Sequence, residues 1–264
     1  MKKIIRLLQS LLREDNQYSD LVDGLAGKNT MAGIQQKFPD INDSWSKRRK
    51  IIAAIQLYAE LKGIDCKPVD GYLGPVTQVA IDRLQEIIKG NVAEVFRPED
   101  IVDINPNQWP KQYSDEFYDF YGTMGDETNL TSVDLPYKHY LSWDTSKSIS
   151  RLKCHKKVAS SVVRVLEQVL DTYGIDEIKR QKLDNWGGCF NVRSIRGGRK
   201  PSMHSWGIAM DYYPSKNQLR WGSDRAVFAR SEYNKWWEIW ESEGWVSLGR
   251  ARNFDWMHVQ AAKI

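Results

Sequence analysis

In "SMHSWGIAMDYYP", residues 202–214, His204 and Asp211 stand seven positions apart in a chain with only four histidines. A catalytic zinc site needs three protein ligands of nitrogen or carboxylate type and leaves a fourth position for water. These two side chains supply two of them, and the intervening Gly207 and Ala209 suit a turn that brings both to one ion. The third ligand must come from elsewhere. "FDWMH" offers His258, 54 positions after His204, with Asp255 three residues before it and placed to reach the bound water. Spacing alone leaves plainer roles open: a histidine in a strand can be a structural hydrogen-bonder, and an aspartate after an apolar strand a turn residue. The chain contains no H-E-x-x-H and no G-x-S-x-G, and no carboxylate pair has the context of a glycosidase.

The elements that must position these residues fall into regions of different charge. The first 90 residues carry 14 basic and 11 acidic side chains, residues 91–145 carry 3 and 11, and the remainder 21 and 12. A basic C-terminal region beside an acidic middle fits a polyanionic partner, and both nucleic acid and cell-wall polymer answer that description. With 41% hydrophobic and 27% charged residues, the 264-residue chain reads as an ordinary globular protein. It has no apolar run of about twenty residues that could span a membrane. "MKKIIRLLQSLL" is interrupted by Arg6 and Gln9 and reads as an amphipathic helix rather than a signal peptide, so synthesis and folding in a cytoplasm are expected. Cys66, Cys154 and Cys189, odd in number and far apart, are expected to be buried thiols.

From residue 150 the pattern predicts an α+β domain. Val158, Val162, Val165, Leu166, Val169 and Leu170 form one helical stripe that Gly174 stops; "GGCFNVRSI", "GIAMDYY" and "FDWMHVQAA" read as strands, and "SEYNKWWEIWESEGW" as a helix. "RPEDIVDINPNQWPKQ" reads as a linker, and the aromatic, acidic "EFYDFYGTMGDETNLTSVDLPY" as a surface segment. Trp206 and Trp256, beside the two motifs, are expected to frame the site, whereas His139 and His155 are expected to be structural.

The first ninety residues repeat. An amphipathic helix, V-D-G-x-x-G-x-x-T and a second helix occur once around Asp23, Gly24, Gly27 and Thr30, and again around Asp70, Gly71, Gly74 and Thr77. Asp-Gly followed by a second glycine marks a tight turn needing positive φ, and each threonine can cap the following helix. "VDGYLGPVTQVAIDRLQ" resembles the signature of small helical peptidoglycan-binding domains through Asp70, Gly71, Gly74, Thr77, Ala80, Ile81 and Gln85. The first copy matches less fully, and a purely structural bundle is the competing reading.

"SMHSWGIAMD" and "DWMH" together resemble the two separated motifs of the D-Ala-D-Ala peptidase type of zinc peptidase, a group that includes phage L-alanyl-D-glutamate endopeptidases and VanY-like carboxypeptidases. Ser202, His204, Gly207, Ala209, Asp211, Asp255 and His258 carry the match, which covers roughly residues 120–264. The resemblance implies Zn2+ on His204, Asp211 and His258, Asp255 as general base, and an arginine near the oxyanion or a substrate carboxylate, with Arg193 the first candidate and Arg196 the second. Manganese or cobalt could substitute for zinc.

Together the two resemblances imply a modular phage endolysin. Residues 1–90 would be an all-α peptidoglycan-binding domain, 91–118 a linker, and 119–264 an α+β, hedgehog/D-Ala-D-Ala peptidase-like catalytic domain. The expected protein is a monomer with bacterial peptidoglycan as its partner, and with no nucleic acid and no membrane anchor. It would wait in the host cytoplasm and reach the wall once the membrane is permeabilised. A bacterial D,D-carboxypeptidase or wall-remodelling enzyme, and a non-catalytic wall-binding protein, are the alternatives.

Overall fold

The structure, a computed structural model, describes residues 1–64, 66, 68–90, 104–196, 198 and 200–264. They form two compact units, one carrying the helices up to Gly90 and the other most of the residues from Ile104 onward.

The first unit holds four helices: α1 (Lys2–Glu14), α2 (Lys28–Lys37), α3 (Lys47–Leu61) and α4 (Pro75–Ile88). The N-terminal stretch is α1, and it buries Ile4, Ile5, Leu7, Leu8, Leu11 and Leu12 against Ile55, Tyr58, Ile81 and Leu84. The repeat has a structural centre that the motif does not contain, a buried glutamine in the preceding helix. Gln9 Nε2 donates to Asp23 Oδ1 (2.9 Å) and Thr30 Oγ1 (3.2 Å), while Gln9 Oε1 accepts from Gly24 N–H (2.8 Å). Gln56 repeats this 47 positions later with Asp70 (3.0 Å), Thr77 (3.0 Å) and Gly71 (2.8 Å). Gly24 and Gly71 have the positive φ their turns were expected to need. The threonines do not cap. Gly27 and Gly74 occupy the N-cap positions, and Thr30 and Thr77 lie inside the helices, donating to the Leu25 and Tyr72 carbonyls. Each threonine therefore ties its helix back to the loop instead of satisfying the first-turn N–H groups.

The second unit is a six-stranded mixed sheet with helices packed on it. In chain order come α5 (Asp115–Tyr121), β1 (Leu130–Leu141), β2 (Asp144–His155), α6 (Ala159–Gln181), β3 (Asn185–Gly188), β4 (Ala209–Tyr212), α7 (Asn234–Ser242), β5 (Val246–Ser247), α8 (Leu248–Arg252) and β6 (His258–Gln260). The strand order is β2-β1-β3-β4-β6-β5, with β1 and β3 parallel and every other pair antiparallel. The expected apolar stripe of α6 is buried at Val162, Val165, Leu166 and Val169 and meets Trp236, Trp237 and Trp240 of α7 in one core. Gly174, at φ 66° and ψ 161°, breaks α6 as expected, and a further helical stretch follows to Gln181.

Three expectations change. The linker reading of 91–118 falls partly outside the described residues. From Ile104 on, the chain is already packed in the second unit, where Trp109 is buried against Trp245 and Gln112 N–H donates to the Lys263 carbonyl. The supposed surface segment provides α5, with Phe117 and Tyr121 in the core, and then β1, one of the two longest strands. Pro136 disguises β1, because a proline cannot donate to a ladder. The strand accommodates it in the register shift between Asp134 and His139. "GGCFNVRSI" is strand only up to Gly188; Cys189–Ile195 lie outside any strand except for the isolated Ser194–Pro201 bridge.

His139 and His155 are buried, as expected of structural histidines. His139 Nδ1 faces the Tyr137 carbonyl and Nε2 the Tyr212 hydroxyl, each at 3.2 Å. A carbonyl only accepts, so Nδ1 carries the proton and the neutral ring fills both bonds. Burial pushes this imidazole from 6.5 down to about 4. The unfolded chain therefore binds the proton first, and stability falls as the pH drops from the ordinary histidine range towards 4, by up to roughly 3 kcal/mol. Urea unfolding of the second unit should show a lower midpoint at pH 4.5 than at pH 7, and His139→Gln should flatten that dependence.

Candidate metal centre

β4 and β6 lie side by side with Asp211 directly opposite His258, so antiparallel pairing alone places these two side chains on one face. His204 arrives from the 3-10 turn Met203–Trp206, which precedes β4. Gly207 ends that turn at φ 68°, where a Cβ would stand 2.9 Å from Leu130 Cδ2 and 3.2 Å from the His155 backbone nitrogen, so glycine is favoured at the reversal. Ala209, expected in the turn, is instead the first residue of β4.

His204, Asp211 and His258 come together with their ligand atoms all within 4.8 Å of one another. His204 Nε2 stands 3.2 Å and His258 Nδ1 3.0 Å from the same Asp211 oxygen, Oδ1. Ligand atoms bonded to a tetrahedral zinc at about 2.0–2.1 Å stand about 3.4 Å apart, so the spacing is close to that of a filled coordination shell.

The second nitrogen of each ring decides what these contacts are. His204 Nδ1 lies 2.6 Å from the Cys189 carbonyl, which can only accept, so Nδ1 carries the proton. His258 Nε2 lies 3.3 Å from Gln260 Oε1. That amide cannot be turned around, because Gln260 Nε2 donates to the Ala262 carbonyl (3.0 Å) and to Gln112 Oε1 (3.1 Å). His258 Nε2 therefore also carries its proton. In their neutral forms both rings aim a lone pair at the Asp211 carboxylate. Three electron-rich atoms facing one another in a buried place require a cation between them, either protons or a metal ion, and the donor set of two imidazoles and one carboxylate suits zinc.

Burial pushes the Asp211 carboxyl up, but the positive charge and hydrogen bonds of the two imidazoles, His204 foremost, pull it well below the usual carboxylate range, the arrangement in which protons rather than a metal lie between the three groups. Burial lowers the His258 pKa against the pull of Asp211, keeping the ring neutral. All three cysteines are free and buried, and Cys189 stands outside the converging set: burial pushes its thiol well above the ordinary value, and its Sγ donates to the Gly207 carbonyl at 3.4 Å.

Asp255 sits in the turn before β6, where its carbonyl accepts from His258 N–H at 2.9 Å. It is buried and has a left-handed φ of 55°, a region that aspartate, asparagine and glycine tolerate better than most residues. The arginines stand differently. Arg193 is tied by its backbone to the His204 turn, accepting from Ser202 N–H and exchanging two bonds with Ser205, while its guanidinium reaches the Ser194 carbonyl. Arg196 is exposed and has no such tie among the described residues. Neither guanidinium bonds to a triad side chain.

Trp206 and Trp256 do not frame the site. They are 3% and 1% exposed, with their indole N–H groups donating to the Gly122 carbonyl and to Asn253 Oδ1, and they belong to the core. The motifs also leave out the Cys189 carbonyl, Gln260 and Gly187, which orient and admit the three ligands. Gly187 of β3 approaches so closely that a Cβ would lie 2.8 Å from Asp211 Cβ. Gln260 did carry a signal, since a residue two positions after His258 in a strand lies on the same face.

Compared with family models, with curated proteins and with solved structures, the chain matches none.

Residues that orient ligands typically change metal affinity 10–100-fold when lost. Gln260→Leu should therefore weaken zinc binding by about that factor in calorimetric titration, while leaving the fold intact by circular dichroism. Gly187→Ala should weaken it at least as much by displacing Asp211.

Proposed function

We propose that the chain is a peptidoglycan hydrolase of the phage-endolysin kind. Its second unit cleaves an amide bond in the stem peptide, and its first unit holds the wall. The buried His204–Asp211–His258 set, with two neutral imidazoles and a carboxylate converging on one point, is the observation that carries the reading. Zinc is the metal we assign. A cation held there polarises a carbonyl and lowers the pKa of bound water towards neutrality.

The remaining chemistry belongs to the chain. Asp255 takes a proton from the attacking water as the C–O bond forms and returns it to the nitrogen as the C–N bond breaks, leaving a carboxylate and a free amine. Its place in the turn that leads into His258 fixes it relative to one ligand. Arg193, held by its backbone to the His204 turn, supplies the positive charge for the developing oxyanion or a substrate carboxylate. Cys189 and Gln260 keep both imidazoles in the required tautomer throughout.

In the first unit, the two glutamine-centred turns give a compact scaffold whose motif resembles wall-binding repeats. None of the helices of the described residues is long and apolar enough to cross a membrane. The reading has the protein made in the host cytoplasm and admitted to the wall by another factor.

Purified peptidoglycan digested with and without a chelator tests this by mass spectrometry of the released fragments. New amino groups within stem peptides, lost on chelation and restored by zinc, are expected. His204→Ala should release nothing yet still sediment with walls. Release of terminal D-alanine alone would make the enzyme a carboxypeptidase. New reducing sugar ends, or full lysis by His204→Ala, would overturn the zinc-peptidase reading.

A further inference from the structure

The two repeats of the first unit share a turn but differ in what is built on it. Arg49, in the first turn of α3, is held on every side but one. Its Cζ stands 3.9 Å from the centroid of the Trp45 ring and 4.6 Å from that of Tyr72, and its Nε donates to the Asp70 carbonyl at 2.9 Å. The stem lies so close to the Asp70–Gly71 turn that a Cβ on Gly71 would stand 2.5 Å from Arg49 Cγ. Gln56 fixes that turn in its place by bonding both Asp70 Oδ1 and Gly71 N–H. The outer edge of the guanidinium is what remains. Arg49 is partly exposed, and neither of its terminal nitrogens has a hydrogen bond among the described residues.

The fold does not require this clamp. The repeat offset of 47 positions that relates Gln9 to Gln56 also relates Lys2 to Arg49 and Leu25 to Tyr72. Lys2 packs against Gly24 as Arg49 does against Gly71, with a Cβ on Gly24 standing 2.8 Å from Lys2 Cγ. Leu25, however, is 62% exposed, and no ring stacks on Lys2 among the described residues. The same turn thus closes in both copies, and the ring–guanidinium–ring stack is present in one. Trp45 is also the only tryptophan before residue 100. Helix stability does not account for the charge either. Lys47, Arg48, Arg49 and Lys50 crowd the first turn of α3 with no acidic residue among them, where cations oppose the positive end of the helix dipole.

A guanidinium held flat between two rings presents a planar fork of N–H donors, the geometry that grips a carboxylate or a phosphate through two parallel bonds. A phosphate polymer is bound by many free cations along its length. Here Lys47 reaches the Ala26 carbonyl at 3.2 Å and Lys50 pairs with Asp43 at 2.9 Å, so the patch is better suited to a single anionic group. We propose that Arg49, clamped between Trp45 and Tyr72, is the wall-recognition site of the first unit and grips a carboxylate of a peptidoglycan stem peptide. The inference rests on the wall-binding reading of that unit and narrows it to the second repeat.

Sedimentation binding of the full chain tests it, in chelator so that nothing is cut. The two probes are peptidoglycan freed of its attached polymers, and the same material after carbodiimide coupling of its carboxylates to ammonia. Arg49→Gln should bind the untreated peptidoglycan about tenfold more weakly, the scale of a lost charge-assisted bond. Arg49→Lys, which keeps the charge and most of the stem but not the fork, should lose most of that factor, while Lys2→Gln in the first copy should bind as the native chain does. Amidation should weaken the native chain about as much and Arg49→Gln far less, a coupling that mere loosening of the turn would not produce. Native binding by both Arg49 variants, or an amidation penalty equal in Arg49→Gln and the native chain, would overturn the site and leave wall binding standing. Native-chain binding only to walls that keep their phosphate polymers would overturn the carboxylate assignment. No binding of the native chain to either kind of wall would overturn the wall-binding reading, and this inference with it.

Discussion

Two imidazole lone pairs are aimed at one buried carboxylate, and much of the second unit is organised around keeping them there. Left to themselves, His204 and His258 would each turn a protonated nitrogen towards Asp211 and satisfy it. The Cys189 carbonyl and the Gln260 amide prevent that by claiming the protons on the far side of each ring. Gln260 can do so because the Ala262 carbonyl and Gln112 hold its amide in one orientation. The constraint thus reaches from the ion-binding point through an imidazole and an amide to the segment after Ile104. This segment has to be part of the second unit rather than a tether to it.

The first unit meets a related problem with the opposite answer. A buried glutamine has two donors and an acceptor to satisfy, and each repeat closes its aspartate, glycine and threonine around that one amide. Every group finds a complement, so no cation is called for, and the result is a rigid turn. The second unit leaves lone pairs uncompensated where His204, Asp211 and His258 converge. The first compensates everything and keeps its loops for the surface.

What could be read from residues alone follows from how local the cause is. The α6 stripe, its break at Gly174 and the Asp-Gly turns arise from neighbours a few positions apart, and the periodicity displays them. The three ligands were legible as residue types in two motifs, and their convergence depends on a β4–β6 pairing that no local pattern encodes. β1 was missed because Pro136 sits in a bulge whose partner strand had to be known first. Trp206 and Trp256 were misjudged because adjacency to a motif does not tell which face of the turn a ring takes. Gln9 and Gln56 passed unnoticed because a polar residue in an amphipathic helix normally marks its solvent face, and here it marks the centre.

The backbone of Asp255 bears on how this site would decay in related chains. At φ 55° the position is comfortable for asparagine and glycine and costly for most other residues. Conformation and chemistry therefore filter substitutions there independently. A related chain that kept the fold but not this carboxylate would carry asparagine or glycine here, not alanine or glutamate. Asparagine or glycine would keep the left-handed turn, and with it the bond from His258 N–H to the carbonyl at position 255, while taking the carboxylate away.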